Sequence, residues 1–217
     1  IRALSQLDIP KDLKQIQKLT GCVAALSRFI SRLGEKALPL YRLLRRTEHF
    51  EWTDAATAGL EEIKAILATN PVLAAPNLGE PMLLYIAATH QVVSAVLVVE
   101  RETEGHKFPL QKPVYYVSTV LTPCKSRYPH YQKIAYAVFM ASRKLRHYFQ
   151  ECSITVASEV PLNDIINNRD ATGGIAKWAI ELLPFDITYK LRRAIKSQVL
   201  ADFVAEWTEA ELPKEYD

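Results

Sequence analysis

The chain has 217 residues, of which 49% are hydrophobic and 24% are charged, and its formal net charge at pH 7 is +3. This composition is ordinary for a soluble globular protein and leaves room for one large domain or two small ones. No apolar run reaches the roughly 18 residues that a membrane-spanning helix needs, so no membrane partner is expected. Three widely spaced cysteines argue against a disulfide framework or a zinc site and favour free thiols in a reducing cell interior.

The N-terminal region differs in charge from the rest of the chain. Residues 1–50 contain ten Lys or Arg and four Asp or Glu, whereas the remaining residues contain 17 and 20. Concentrated positive charge is typical of a protein that contacts a polyanion, although many solvated surfaces share it. The first residues have neither an initiator Met nor the pattern of a secretory signal, so we expect a piece of a longer protein.

The first 70 residues are predicted to be helical. One stripe of apolar residues recurs at three- and four-residue spacing and predicts a continuous helix from residue 11 to residue 33. The stripe consists of Ile16, Leu19, Val23, Leu26, Ile30 and Leu33. A second helix is predicted over 35–46, with Pro39 in its first turn, and a third is capped by Thr53 or Asp54 and ends near residue 69.

A proline-rich segment then separates the helices from a region of strands. Residues 70–81 contain three of the twelve prolines, and they are predicted to connect a helical segment over 1–76 to a domain over 77–207, with an acidic tail over 208–217. Strands are predicted over 82–87, 92–100, 113–119, 153–157 and 185–190. Helices are predicted over 131–148, 162–167, 175–183 and 195–207. The predicted fold is therefore α/β, with a helical segment followed by a five-stranded mixed sheet and flanking helices.

A second stripe on the first predicted helix lies opposite the apolar one. It is cationic at both ends and small in the middle, and it consists of Lys11, Lys14, Lys18, Gly21, Ala25, Arg28 and Arg32. Small residues allow a helix backbone to approach a surface closely, and the flanking cations suit phosphates on either side of a groove. A nucleic-acid-binding surface is the favoured interpretation, and a merely solvated helix face is the alternative. A further cluster, Arg42, Arg45 and Arg46, is interpreted as a solvated helix end.

Several stretches, taken in order, resemble a known family. Two stretches resemble the thumb and connection segment of reverse transcriptases from gypsy-type LTR retrotransposons, namely KLTGCVAALSRFISRLGEKALPLYRLLRR and FEWTDAATAGLEEIKAILATNPVLAAP. Three further stretches resemble the RNase H-like domain that follows in this family. In chain order they are PMLLYIAATHQVVSAVLVVE, KPVYYVSTVLTPCKSRYPHYQKIAYAVFMASRKLRHYF and IAKWAIELLPFDITYKLRRAIKSQVLADFVAE. The resemblance covers nearly the whole chain, has the character of plant elements, and implies a ribonuclease-H-like sheet.

The resemblance fails at the acidic residues of the family. In active members the first strand carries an Asp, and that position here is Ala87. The catalytic Glu of the long helix falls at Ile134, and the next Asp falls at Ser158 or Glu159. The resemblance leaves the last acid in place as Asp202.

These replacements bear directly on catalysis. Ribonuclease H chemistry needs two divalent cations about 3.5–4 Å apart, and Mg²⁺ prefers oxygen ligands such as carboxylates. Ala87 and Ile134 have no side-chain oxygen, so no catalytic residue, metal or other cofactor is expected. The chain also has no Tyr-x-Asp-Asp motif, so the polymerase palm is missing and this chain alone is not expected to be an enzyme. The parent polyprotein would be an RNA-directed DNA polymerase.

Three functions remain as hypotheses. The favoured one is a non-catalytic fragment that grips the template–primer duplex and links the polymerase to a downstream nuclease. One alternative is an active hybrid ribonuclease whose Mg²⁺ site is rebuilt from Glu159, Asp202 and Asp164. The other is a free-standing interaction module derived from a retroelement.

The resemblance also implies partners and a location. The expected partners are an RNA–DNA or DNA duplex and the remainder of the Pol polyprotein, namely the palm, a downstream RNase H and the integrase. The expected location is inside the cell, in the cytoplasm or in a virus-like particle, with the nucleus as an alternative.

Overall fold

The computed structural model describes residues 9–45, 50–69, 72–102 and 109–191. The predicted closing helix, the acidic tail, Arg46 and Asp202 lie outside these residues. None of the described helices is long and apolar enough to cross a membrane.

In the described residues of the N-terminal part, the α-helices are α1 over Leu13–Ala25, α2 over Leu33–Lys36, α3 over Leu38–Leu43 and α4 over Asp54–Ala68. Asp12 caps α1 by accepting a hydrogen bond from the Gln15 amide, and Thr53 caps α4 by accepting one from the Ala56 amide. Thr53, rather than Asp54, is therefore the cap. The apolar faces of these helices share one hydrophobic cluster.

The predicted continuous helix to residue 33 is wrong. After α1 the chain makes a 3₁₀ turn over Ser27–Phe29, Ile30 is extended, and Arg32 adopts a left-handed conformation with φ of 52°. The reversal lets Ile30 and Leu33 join the cluster formed by α1 and α4, so tertiary packing overrides the local periodicity. The predicted helix over 35–46 is also divided, because Pro39 has no amide hydrogen to continue α2 and lies instead in the first turn of α3.

The second part is a five-stranded sheet in the order β3-β2-β1-β4-β5. The strands are β1 over Met82–Ala88, β2 over Val92–Arg101, β3 over Leu110–Val120, β4 over Ile154–Ser158 and β5 over Ile187–Leu191. The β1–β2 and β2–β3 pairs are antiparallel, whereas β4 is parallel to both β1 and β5. A short turn joins β1 to β2, and helices lie in the longer connections from β3 to β4 and from β4 to β5. The predicted mixed α/β sheet is confirmed.

Up to residue 191, where the described part of the chain ends, the helices that accompany the sheet are α5 over Pro123–Ser126, α6 over His130–Lys144, α7 over Arg146–Glu151, α8 over Leu162–Ile166 and α9 over Gly173–Leu182. The predicted single helix over 131–148 is interrupted at Leu145, which leaves the helical conformation with φ of −113° and ψ of 32°. Phe149 then lies in the core against Phe185, with ring centroids 5.7 Å apart. Helix α6 packs along β1 and β2 and places Ile134 in the core.

The helical segment packs closely against the sheet at Gly34. The Gly34 amide donates a hydrogen bond of 2.8 Å to Ser118 Oγ on β3, and Ser118 Oγ lies 3.1 Å from Ser94 Oγ on β2. A Cβ atom at position 34 would lie 2.6 Å from Ser118 Oγ and 2.8 Å from Val92 Cγ1, so a side chain would force the two parts apart. The two hydrophobic clusters are nevertheless separate, and the domain boundaries at residues 76 and 207 stay a prediction.

Candidate nucleic-acid interface and candidate active-site edge

The outer face of α1 carries part of the predicted cationic stripe. Lys14 and Lys18 are exposed on this helix, Lys11 is exposed just before it, and Gly21 and Ala25 are exposed on its last two turns. A Cβ atom at Gly21 would meet nothing within 4 Å, so this part of the helix is open to an approaching surface. Neither Lys14 nor Lys18 forms an ion pair with any residue that the structure describes. Five of the seven predicted residues are therefore exposed on one helix and the residues before it.

The two arginines of the stripe do not lie on α1, because the helix ends at Ala25. Arg28 is exposed on the 3₁₀ turn, and its guanidinium lies 5.3 Å from the ring centroid of Tyr115 on β3. Arg32 is only 5% exposed and forms an ion pair with Glu35. Arg32 does not belong to the exposed stripe, because the left-handed turn directs the chain into the packed interior. The revised surface, which we call the α1 surface, consists of Lys11, Lys14, Lys18, Gly21, Ala25 and, at its edge, Arg28.

The positions of the missing acids lie in the hydrophobic core. Ala87 on β1 and Ile134 on α6 are each 1% exposed and belong to the same cluster of buried residues. Ala87 is paired in register with Ser94 of β2. A carboxylate at either position would lose its hydration without a counter-charge from these apolar neighbours. As the chain stands, neither position can supply a metal ligand from its side chain.

The other residues considered as metal ligands lie at the end of β4 or later in the chain. Ser158 is buried, and its Oγ accepts a hydrogen bond of 3.1 Å from the Val160 amide. Glu159 is exposed, and its Oε1 lies 2.7 Å from Nε2 of His130 at the start of α6. Asp164 is exposed on α8. Within the described ranges, no group of three or more His, Cys, Asp or Glu side chains is placed to hold a metal ion.

Lys133 is a buried cation that the sequence interpretation missed. It is 6% exposed, and its Nζ donates hydrogen bonds of 3.4 Å to the Thr89 carbonyl and 3.1 Å to the His90 carbonyl. Loss of hydration lowers the pKa of Lys133. Its ammonium therefore ties α6 to the turn that follows β1. The apolar residues Ala137 and Met140, four and seven positions later, were the signal that this lysine points inward.

Comparison with known proteins supports the same mixed α/β fold that the strand order shows. Residues 52–156 match the family model of the RNase H-like domain found in reverse transcriptase. The Tf2-3 and Tf2-4 transposon polyproteins of Schizosaccharomyces pombe are each 25% identical over 194 residues, which cover 84% of this chain. The chain spans only 14% of the length of these relatives.

Two solved structures are similar over nearly all of the chain. The foamy viral protease-reverse transcriptase in complex with an RNA/DNA hybrid has a TM-score of 0.72 and 19% identity, and covers 100% of this chain and 28% of its own. The same type of protein in complex with double-stranded DNA has a TM-score of 0.68 and 20% identity, and covers 90% of this chain and 41% of its own. The fold of this chain is therefore RNase H-like.

Proposed function

We propose that this chain is a non-catalytic fragment of an LTR retrotransposon Pol polyprotein that grips the template–primer duplex and links the polymerase to a downstream nuclease. The match over 52–156 and the Tf2 polyproteins support the origin from a retroelement reverse transcriptase. The stretches quoted from the sequence favour the gypsy type, as found in plants. The α1 surface is the observation on which the duplex-binding role depends.

The α1 surface has the dimensions and charge of a phosphate contact. Lys14 and Lys18 are four residues apart on one helix face, and their Cα atoms are therefore separated by about 6 Å along the axis. Two lysines at this spacing can contact phosphates of the same strand. The small side chains of Gly21 and Ala25 allow the end of the helix to approach the duplex closely. Because phosphate contacts do not depend on base identity, the surface suits a protein that must hold any sequence.

The core positions of Ala87 and Ile134 support the absence of catalysis. Two-metal hydrolysis requires several oxygen ligands around paired cations, and these two side chains contribute none. Glu159 Oε1 lies 2.7 Å from His130 Nε2, so this carboxylate already has a partner.

The proposed protein partners are other parts of the same polyprotein, namely the palm, a downstream RNase H and the integrase, and no membrane partner is proposed. The proposed location is the cytoplasm or a virus-like particle, with the nucleus as an alternative.

Duplex binding tests the α1 surface directly. The chain should bind an RNA–DNA hybrid with a Kd on the order of 10⁻⁴ to 10⁻⁶ M at physiological salt, and affinity should fall as salt rises because bound counterions are released. Lys14→Ala with Lys18→Ala should weaken binding and reduce the slope of log affinity against log salt by about 2. Gly21→Gln or Ala25→Gln should weaken binding with little change in slope, because the charge is retained.

Exposed cations outside this surface provide the control for the duplex measurements. Arg169→Ala with Lys177→Ala removes the same charge, from the α8–α9 loop and from α9, and should leave affinity nearly unchanged. Fluorescence anisotropy at several salt concentrations measures both quantities, and circular dichroism checks that α1 remains helical. If neither the lysine variants nor the glutamine variants of α1 alter binding, the α1 surface is only a solvated helix face. The proposed role in duplex binding is then wrong.

Hybrid cleavage tests the absence of catalysis. The purified chain should not cleave the RNA strand of an RNA–DNA hybrid in the presence of Mg²⁺ or Mn²⁺. Gel analysis of an end-labelled RNA strand detects products, and an active ribonuclease H confirms that the substrate is competent. Cleavage that is lost in both Glu159→Gln and Asp202→Asn would instead establish the rebuilt metal site of an active ribonuclease.

A further inference from the structure

A cleft of about 830 Å³ lies between the helical segment and β3. On one side it is lined by Tyr41, Arg42 and Arg45 of α3 and the residues after it, and on the other by Tyr116, Thr119 and Lys144. Its volume falls within the roughly 300–1,000 Å³ of pockets that hold small molecules. None of the lysines of the α1 surface lines it. The cleft is therefore a separate feature, and it is too small to hold a duplex.

The charge of the cleft favours an anion. Arg42, Arg45 and Lys144 line it, and no Asp or Glu does so in the part of the chain that the structure describes. Arg42 donates a hydrogen bond of 2.8 Å to Gln91 Oε1, and Lys144 donates bonds of 2.8 Å to Thr119 Oγ1 and 3.1 Å to the Ser118 carbonyl. These partners orient the cations without neutralising them. Three such charges repel one another, and a bound anion would relieve that repulsion.

The remaining wall of the cleft favours a ligand that is larger and flatter than a phosphate ion. Tyr41, Tyr115 and Tyr116 supply aromatic rings, and Leu33, Leu38 and Leu121 supply apolar surface. Thr119 also lines the cleft, and its hydroxyl lies 2.8 Å from Lys144 Nζ. An aromatic base can pack on the apolar wall, a sugar can contact the Thr119 hydroxyl, and a phosphate can contact the cations.

We propose that this cleft binds a phosphorylated nucleoside. The ligand is either a free nucleotide or the phosphate-bearing terminal nucleotide of a single strand, because both present the same base, sugar and phosphate. The site does not depend on the duplex-binding role, since its residues differ from those of the α1 surface. A chain that fails to bind duplex can still bind a nucleotide here, and the reverse is equally true.

Calorimetric titration of the full chain with adenosine 5′-monophosphate tests the site. The nucleotide should bind at least about tenfold more tightly than adenosine or inorganic phosphate, since each of these lacks one half of the contacts. Arg42→Gln with Arg45→Gln should weaken nucleotide binding by at least about tenfold. Ala24→Trp should do the same while keeping the charge, because Ala24 is an exposed residue of α1 that lines the cleft.

Arg169→Gln with Lys177→Gln is the matched control, and it should bind the nucleotide as the unmodified chain does. Oligoadenylate with a 5′-phosphate has the same base and sugar as adenosine 5′-monophosphate, so it separates the two sources of ligand. Tighter binding of the oligonucleotide than of the mononucleotide assigns a strand end, and weaker binding assigns a free nucleotide. The proposal is overturned if inorganic phosphate binds as tightly as the nucleotide. It is equally overturned if the nucleotide does not bind, or if both the arginine and tryptophan variants, with folding verified by circular dichroism, retain full affinity.

Discussion

Ile134→Glu should lower the free energy of unfolding by about 3–5 kcal/mol at pH 7, because it leaves an unpaired charge in the core. The substituted position is 1% exposed and lies among apolar residues of α6, β1 and β2. This change restores the acid that the resemblance expects at position 134. A large loss would mean that the surroundings have adapted to an apolar side chain and do not form a hydrated metal site.

The loss in Ile134→Glu should depend on pH in a defined direction. Burial raises the pKa of a carboxyl group above its unfolded value of about 4.3, because it disfavours the charged form. Below that unfolded value the glutamate is neutral in both states, and the charge contributes no penalty. As pH rises, the unfolded state releases its proton first, so the folded state becomes progressively less stable until its own pKa is passed.

Ile134→Gln is the control, since it introduces a polar side chain of similar size that does not titrate. Urea denaturation between pH 4 and pH 8 should give nearly equal stabilities for the two variants at the acidic end and a growing difference above it. A difference that stays constant with pH would mean that a carboxylate at position 134 is hydrated or paired. That result would argue against the non-catalytic proposal.

Gly59→Ala and Gly21→Ala should change stability in opposite directions, although both glycines lie within helices. A Cβ atom at Gly59 of α4 would overlap the carbonyl oxygen of Lys36. Because that oxygen belongs to the backbone of α2, one helix must shift, and a loss of about 1–3 kcal/mol is expected. At Gly21 of α1 the added Cβ meets nothing within 4 Å, and the alanine should stabilise the chain by about 1 kcal/mol.

Chemical denaturation of the two alanine variants measures both effects against the same unmodified chain. Helix propensity alone would make both substitutions stabilising, so a loss at position 59 isolates the effect of packing. If Gly59→Ala is as stabilising as Gly21→Ala, α2 and α4 are not in close contact. The packing of Lys36 near Glu62, at 3.5 Å between Nζ and Oε1, would then also be in doubt.

The sequence alone determined the elements whose signals are local. Short apolar runs identify β1 and β2, and β-branched and aromatic residues identify β3, because such side chains favour strands. Thr53 and Asp54 identify the start of α4, because the side-chain oxygen of either residue can satisfy a free amide of the first turn. The absence of an oxygen atom in Ala87 and Ile134 is likewise a property of residue type. No folding is needed to know that these side chains cannot bind Mg²⁺.

Only the tertiary structure decided where α1 ends and what lies opposite it. A three- and four-residue apolar spacing continues to Leu33, but it does not encode the left-handed turn at Arg32 that returns Ile30 and Leu33 to the core. Burial of Arg32 and Lys133 and the meeting of Arg42 and Lys144 in one cleft depend on contacts between residues distant in sequence. Periodicity reports which face of an element is apolar, whereas the partner of that face is chosen by packing across the whole molecule.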